Sequence, residues 1–426
     1  MRIKFPYGHD FLEHDFDDNR LVGILDSKLS SYKAEKSETE LVREAIENPI
    51  GSEKLSDLAR GKKNIVIIAS DHTRPVPSKI IMPLMLSEIR KGNPDADITI
   101  LIATGCHRGT TRDELRGKFG DEIFNNEKIL VHDCDDTENL VSIATLPSGG
   151  ELVINKIAYE ADLLVAEGFI EPHFFAGFSG SRKSVLPGVC SRKTVMYNHN
   201  AMFIDSPYAR TGILENNPIH KDMVFAARKA GLAFIVNTVL DPEKHVVYAV
   251  AGDVEEAHIK GCEFLKSQCM VPADKKADIV VTTNGGYPLD QNIYQAVKGM
   301  TAAESVVNDN GVIIMIAKSN DGDGGKVFYE TFKNASDIGK LMQSFLATPA
   351  EETIVDQWQS QIFARVLLKA RVIYISDAED EVVKDLHMIP AHSIGEALAI
   401  ADSLLAGVKG EGTILAIPDG VSVIPV

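Results

Sequence analysis

The chain has 426 residues, enough for two or three domains, and its 44% hydrophobic and 25% charged composition is that of an ordinary globular protein. A formal net charge of −17 argues against nucleic acid, which would favour a basic face. No apolar run reaches the length of a membrane span and the start lacks a signal peptide's apolar stretch; five scattered cysteines without a C-x-x-C pair read as reduced thiols in a cytoplasmic enzyme.

The first fifty residues are polar and are expected to add edge strands and a helix to the first domain. "NIVIIAS" (64–70) then reads as a strand, followed by a helix from Ser78 to about Lys91. "DITILIA" (97–103) leads to "TRDELRGKFG", where Thr111 and Glu114 have capping-box spacing. "KILVH" (128–132) and "ADLLVAEG" (161–168) continue the series. "LAFIVNTVL" (232–240) and "VVYAVAG" (246–252) flank the turn "DPEKH" and predict a hairpin. An amphipathic stretch over 253–269 ends in "VPADKKAD", a polar break. Strand-like runs resume at 278–283, 311–317, 371–376 and 412–418, with helical stretches between them. Strands alternating with helices predict two α/β domains, 1–271 and 272–426, each with a mainly parallel sheet covered by helices.

Polar clusters follow directly on the strands: "DHTRP" (71–75), "TGCHR" (104–108), "EGFIEPH" (167–173) and "NGGYP" (284–288). Open parallel sheets bind ligands beyond the carboxyl ends of their strands. Four such clusters from both domains predict an active site in a cleft between them, and hence an enzyme. His107 and His173 are tilted towards function by this placement. His132, His220, His245, His258, His387 and His392 read as ordinary helix or loop residues, and Phe174 and Phe175 as packing that excludes water. Gly177 with Lys183-Ser184 nearly supplies a phosphate-binding loop, but Arg182 stands where that loop needs glycine. No paired-histidine or paired-cysteine metal signature is present, and His199 cannot hold a metal alone.

"DHTRP", "GCHR", "EPHFFAGFSGSRKSVLPG", "YNHN" and "YQAVKG" (294–299) together resemble the nickel-pincer nucleotide-dependent lactate racemase family, at collinear spacing over most of the chain. The family loop usually reads Gly-Gly-Arg-Lys, where this chain has Gly180-Ser181-Arg182-Lys183. The resemblance implies a racemase or epimerase of 2-hydroxy acids, lactate by default, working by proton-coupled hydride transfer. It implies a nickel-bound pyridinium-3,5-bisthiocarboxylic acid mononucleotide held covalently by Lys183, with His199 as metal ligand. Asp71 and Thr73 are then candidates for contacting that cofactor or orienting its neighbours. His107 and His173 match the catalytic bases. Arg74, Gln295 and Lys298 match groups that handle the substrate carboxylate, and Tyr294 and Trp358 would wall the pocket. Cofactor-making enzymes become the implied partners, beside the small-molecule substrate.

Two other classes compete. A non-catalytic cofactor-binding or maturation protein would need neither His107 nor His173. A P-loop-like phosphotransferase is opposed by Arg182 and by the lack of a Mg²⁺-binding partner. A dinucleotide-dependent dehydrogenase is weaker still, since no G-x-G-x-x-G follows a strand.

Overall fold

The computed structural model describes residues 1–406 and 411–426. The strands of its two main sheets are, in chain order, β1 (Leu21–Ile24), β2 (Asn64–Ser70), β3 (Asp97–Ala103), β4 (Lys128–Val131), β5 (Leu163–Phe169), β6 (Leu232–Leu240), β7 (Val246–Gly252), β8 (Ala277–Thr283), β9 (Val307–Ile316), β10 (Arg371–Ile375), β11 (Ile389–Ala391) and β12 (Ile414–Ile417). The chain divides into two compact units. The first comprises Leu29–His199 and Ser206–Ser267, the second Met1–Lys28, Asn200–Asp205 and Gln268–Val426.

The first unit is built on a sheet of order β7-β6-β5-β2-β3-β4. All neighbours are parallel except β6 and β7, which form the expected antiparallel hairpin. β2 and β5 are apolar on both faces because helices cover both sides of a parallel sheet. Helix α1 (Glu38–Glu47) buries Val42 and Ile46 in the core. Helix α2 (Ser78–Gly92) adds Ile81, Met82, Met85 and Ile89, whose three- and four-residue spacing makes one apolar stripe. These join Ile65, Ile67, Ile100 and Ile102 in one core, each fully buried side chain contributing about 2 kcal/mol. Helix α3 (Arg112–Phe119) starts with the predicted capping box: Thr111 N–H donates to Glu114 Oε2 at 2.8 Å, and Glu114 N–H to Thr111 Oγ1 at 3.3 Å. Because β5, β2 and β3 are adjacent and parallel, the segments that follow them emerge at one edge of the sheet.

The second unit repeats the design with order β11-β10-β9-β8-β12-β1, parallel throughout. The N-terminal segment corrects one expectation. Its strands join this unit, while only its helix α1 belongs to the first. β1 pairs with β12 through Leu21↔Ile414 and Ile24↔Ala416, closing an edge left open by the C-terminal strands. Ile3 and Phe5, from the hairpin Arg2–Tyr7/Asp10–Asp15, lie in the core with Ile279, Ile314 and Ile373. A second hairpin, Leu140–Thr145 with Glu151–Asn155, lies in the first unit and had no clear sequence signal.

Candidate active site

Beyond β2 the chain turns so that Asp71, 2% exposed, faces inward. Thr73 donates to Asp71 Oδ1 twice, from its hydroxyl at 2.6 Å and its N–H at 3.1 Å. The other carboxylate oxygen meets His107 Nδ1 at 2.7 Å, from the turn after β3. Burial pushes the Asp71 carboxyl up, but hydrogen bonds from His107 and Thr73 outweigh it and hold the group down at about 2. An ionised Asp71 fixes the His107 proton on Nδ1 and leaves Nε2 for other work. Arg74 extends to the exposed side, with Nη1 donating to Thr73 Oγ1 at 3.1 Å.

The segment after β5 forms a two-residue antiparallel hairpin in which His173 pairs with Gly177. His173 Nδ1 accepts from Ala176 N–H at 3.2 Å, so the neutral ring carries its proton on Nε2. That nitrogen lies 3.3 Å from Lys183 Nζ. Phe174 stacks on His173 at 5.1 Å, while Phe175 meets His173 edge-on at 4.5 Å and His199 at 5.2 Å. Both phenylalanines are buried, as expected of water-excluding packing. His199 caps helix α4 (Arg192–Asn198), which Ser191 begins as its N-cap. Its Nδ1 bonds Val195 O at 3.0 Å, which places the ring proton there and a lone pair on Nε2. Burial, then the Lys183 charge, pushes the His199 imidazole down to about 3, so the ring is neutral at working pH.

Arg182 does not point at a ligand. It is fully buried and donates to the carbonyls of Ala176, Phe178, Ser179 and Gly180 at 2.8–3.3 Å. Its Nε donates to His220 Nδ1 at 2.9 Å, and Nη1 lies 2.9 Å from His258 Nε2. No carboxylate bonds it among the described residues. His220 and His258 are therefore parts of this cage and not the ordinary helix or loop residues expected. Burial and the guanidinium charge push His220 down to about 3 and His258 well below its usual range. Ser181 adopts φ +33, a left-handed value that glycine adopts more readily, and its hydroxyl donates to Val254 O at 3.0 Å. Past the lysine, Gly188 N–H donates to Lys183 O at 3.0 Å, and Gly188 O accepts from Gly105 N–H at 2.9 Å. A Cβ on Gly188 would meet Ser184 O at 2.2 Å, so only glycine lets the Lys183 and His107 loops join this closely.

Residues 7–212 match the lactate racemase N-terminal domain and residues 272–425 the lactate racemase C-terminal domain. The chain belongs to the lactate racemase family. A lactate racemase of Thermoanaerobacterium thermosaccharolyticum is 57% identical over 99% of this chain and 98% of its own length. One from Lactiplantibacillus plantarum is 51% identical over 100% and 99%. The solved apoprotein structure of the Thermoanaerobacterium enzyme superposes with a TM-score of 0.96 at 56% identity, covering 100% of both chains. A Thermotoga maritima structure shares the fold alone, at 17% identity and TM-score 0.60. The chain is thus an isomerase of the lactate racemase family.

Within the first unit, the candidates inferred from the lactate racemase resemblance form two clusters, Asp71-Thr73-Arg74-His107 and His173-Lys183-His199, tied by the Gly105–Gly188 link. In the second unit, Tyr294, Gln295 and Lys298 lie on helix α5 (Ile293–Val306) and Trp358 on helix α6 (Gln357–Lys369). Tyr294 Oη donates to Asp356 Oδ1 at 2.7 Å, and the Gln359 amide donates to Tyr294 O, so the four share one helix pair. The polar cluster at 167–173 implies that β5 ends at Ala166. β5 instead runs to Phe169 and buries Glu167 completely, with Ser78 Oγ donating to it at 2.5 Å and Lys118 Nζ 4.0 Å away. Burial raises Glu167 and lowers Lys118, which also faces Asp71. An acidic residue inside an apolar strand was the available signal for this buried pair.

Proposed function

We propose that this isomerase interconverts the enantiomers of a 2-hydroxy acid, lactate by the names of its relatives, with His107 and His173 exchanging the hydroxyl proton. The observation that carries the reading is two imidazoles on joined loops in opposite settings, His107 on ionised Asp71 and His173 beside Lys183. The C–H of a 2-hydroxy acid is a very poor acid, so the carbon is inverted by breaking that bond as hydride while the O–H bond breaks as a proton. The resulting planar 2-keto acid can be rebuilt from either face. One imidazole takes the hydroxyl proton of one enantiomer and the other returns a proton from the opposite side, with the roles exchanged in reverse. Asp71 steadies His107 as it becomes cationic and holds Nε2 towards the substrate oxygen. Thr73 keeps the carboxylate in place, and the Arg74 fork suits the substrate carboxylate.

The residues present fit a tethered nickel-pincer nucleotide. Lys183 supplies the amine nucleophile that acylation needs, 3.3 Å from His173 Nε2. His199 is neutral and presents a lone pair on Nε2, as a metal ligand must. When bound, the group supplies a reversible hydride acceptor, a task no side chain here can perform. The enzymes that make it would be the partners, and the cytoplasm the setting; no helix among the described residues is long and apolar enough to cross a membrane.

Intact-mass measurement of protein co-expressed with those enzymes tests the tether, alongside racemisation of pure L-lactate. Lys183→Ala should lose both the adduct and all racemisation. An adduct mapped to another lysine would remove Lys183 from the role.

A further inference from the structure

The first unit brings together two thiols that the proposed reaction does not use. Cys106 and Cys134 each stand three residues beyond the ends of neighbouring strands, β3 and β4. Those strands pair in register up to Ile102↔Val131. The pairing continues outward: His132 N–H donates to Ile102 O at 3.0 Å, and Thr104 Oγ1 to His132 O at 2.7 Å. The two loops therefore stay side by side, and the thiols of Cys106 and Cys134 are hydrogen-bonded to each other. Both cysteines are reduced, Cys134 buried and Cys106 half-buried.

Their surroundings divide the work between them. The Cys106 thiol donates to Cys134, and the Arg192 guanidinium faces Cys134 while bonding Asp135 at 2.8 and 2.6 Å. The hydrogen bond first, and Arg192 after it, lower the Cys134 thiol against burial and the nearby Asp133 and Asp135. Cys106 is raised by the same hydrogen bond and keeps its proton.

We propose that Cys106 and Cys134 are a redox modification site, a reversible disulfide formed by hydroperoxide that displaces the His107 loop. The Cys134 thiolate attacks a peroxide oxygen: the S–O bond forms, the O–O bond breaks and hydroxide leaves. The Cys106 sulfur then attacks the Cys134 sulfur, so that S–S forms and S–O breaks, and the oxygen departs as water. With the Cys106 proton and one from solvent, hydrogen peroxide takes two electrons from two thiols and yields one disulfide and two waters. A disulfide brings its sulfurs to about 2 Å, well inside the separation of hydrogen-bonded thiols. Cys106 directly precedes His107 in the turn closed by His107 N–H to Thr104 O at 3.0 Å. Drawing Cys106 inward pulls His107 off Asp71, and a shift of about 1 Å is enough for roughly a hundredfold loss of rate.

The test titrates hydrogen peroxide into the full chain, with and without cofactor, followed by peptide mapping without reductant and by racemisation assays. The expected result is a Cys106–Cys134 crosslink in both preparations. The loaded enzyme should lose at least tenfold of its rate and recover it with dithiothreitol. Cys134→Ser should keep its rate at the same dose, and Cys106→Ala should form no crosslink. Oxidation confined to Cys190, Cys262 or Cys269, or sulfinic acid at Cys134 without a crosslink, would overturn the site. A crosslink that leaves the rate unchanged would overturn the switch. The crosslink is independent of the role proposed for His107, and only the rate depends on it, so the two failures can be told apart.

Discussion

Both units carry a six-stranded, mainly parallel sheet, but the chemistry at the strand ends differs. In the first unit the segments beyond β2, β3 and β5 place ionisable groups out of water: Asp71, His199, Arg182 and, one strand deeper, Glu167. In the second, the turn after β8 buries one carboxylate, Asp290, which is answered by backbone N–H groups of Gly8 at 2.7 Å and Lys318 at 3.2 Å, and the rest of the turn is settled by neutral groups. Asn284 accepts from Gly299 N–H at 2.9 Å and donates to Leu289 O, and Gly285 and Gly286 take φ of 76° and 75°. Its buried Tyr374 is answered by Ser319 at 2.7 Å. The same architecture thus differs in what answers its buried charge, other titratable side chains in the first unit and backbone N–H groups in the second.

The comparison breaks most sharply at the two imidazoles of the first unit. His107→Ala and His173→Ala should each lower racemisation by about 10²–10⁴-fold in both directions, measured from either pure enantiomer. A single variant that keeps near wild-type rate would end the two-histidine reading. A smaller effect, about ten- to a hundredfold on kcat with KM little changed, is expected of Asp71→Asn, because the amide holds His107 without stabilising its cation. Equal losses in kcat and binding of a keto-acid analogue would mean that Asp71 shapes the substrate site itself.

A further test separates the units by pH. His199 and His220 titrate near 3 when folded and near 6.5 when unfolded, so between those values unfolding takes up a proton at each. Stability is therefore intact above about pH 6.5 and falls as pH drops towards 3, by about 3 kcal/mol per pH unit for the pair. Glu167, raised by burial, acts with opposite sign and offsets part of this. In the second unit burial lowers His14. Hydrogen exchange, corrected for intrinsic rate, should show β2, β5 and β6 losing protection before β8 and β9 between pH 6.5 and 5. His220→Gln should remove one proton from the slope, and a slope unchanged by it would refute the assignment.

Much of this was legible in the chain. Apolar runs such as "NIVIIAS" and "DITILIA" can only be buried strands of a covered sheet, and the Thr111–Glu114 spacing marked its helix start. The polar clusters after those strands marked Asp71 and His107 because position along a parallel sheet is itself a chemical statement. Partnership was not legible. The four residues of β1 carry no label saying which sheet edge they close. His258 looks like any helix residue until the fold brings Arg182 to it, and "TGCHR" gives no hint that Cys134 lies beside Cys106. Each of these depends on a long-range contact, and local periodicity does not encode those.

The Arg182 cage can also be viewed as host and guest. Four carbonyl dipoles of one short loop converge on a planar cation, much as the oxygens of a crown ether surround potassium. Without the guest those like-signed ends repel, so the cation is the template that gives the loop its shape. Since no carboxylate among the described residues neutralises it, the template also leaves a fixed positive potential beneath the backbone that carries Lys183. An anion approaching that lysine meets a field already in place, set by the folding of the loop and unaffected by the protonation of any nearby histidine.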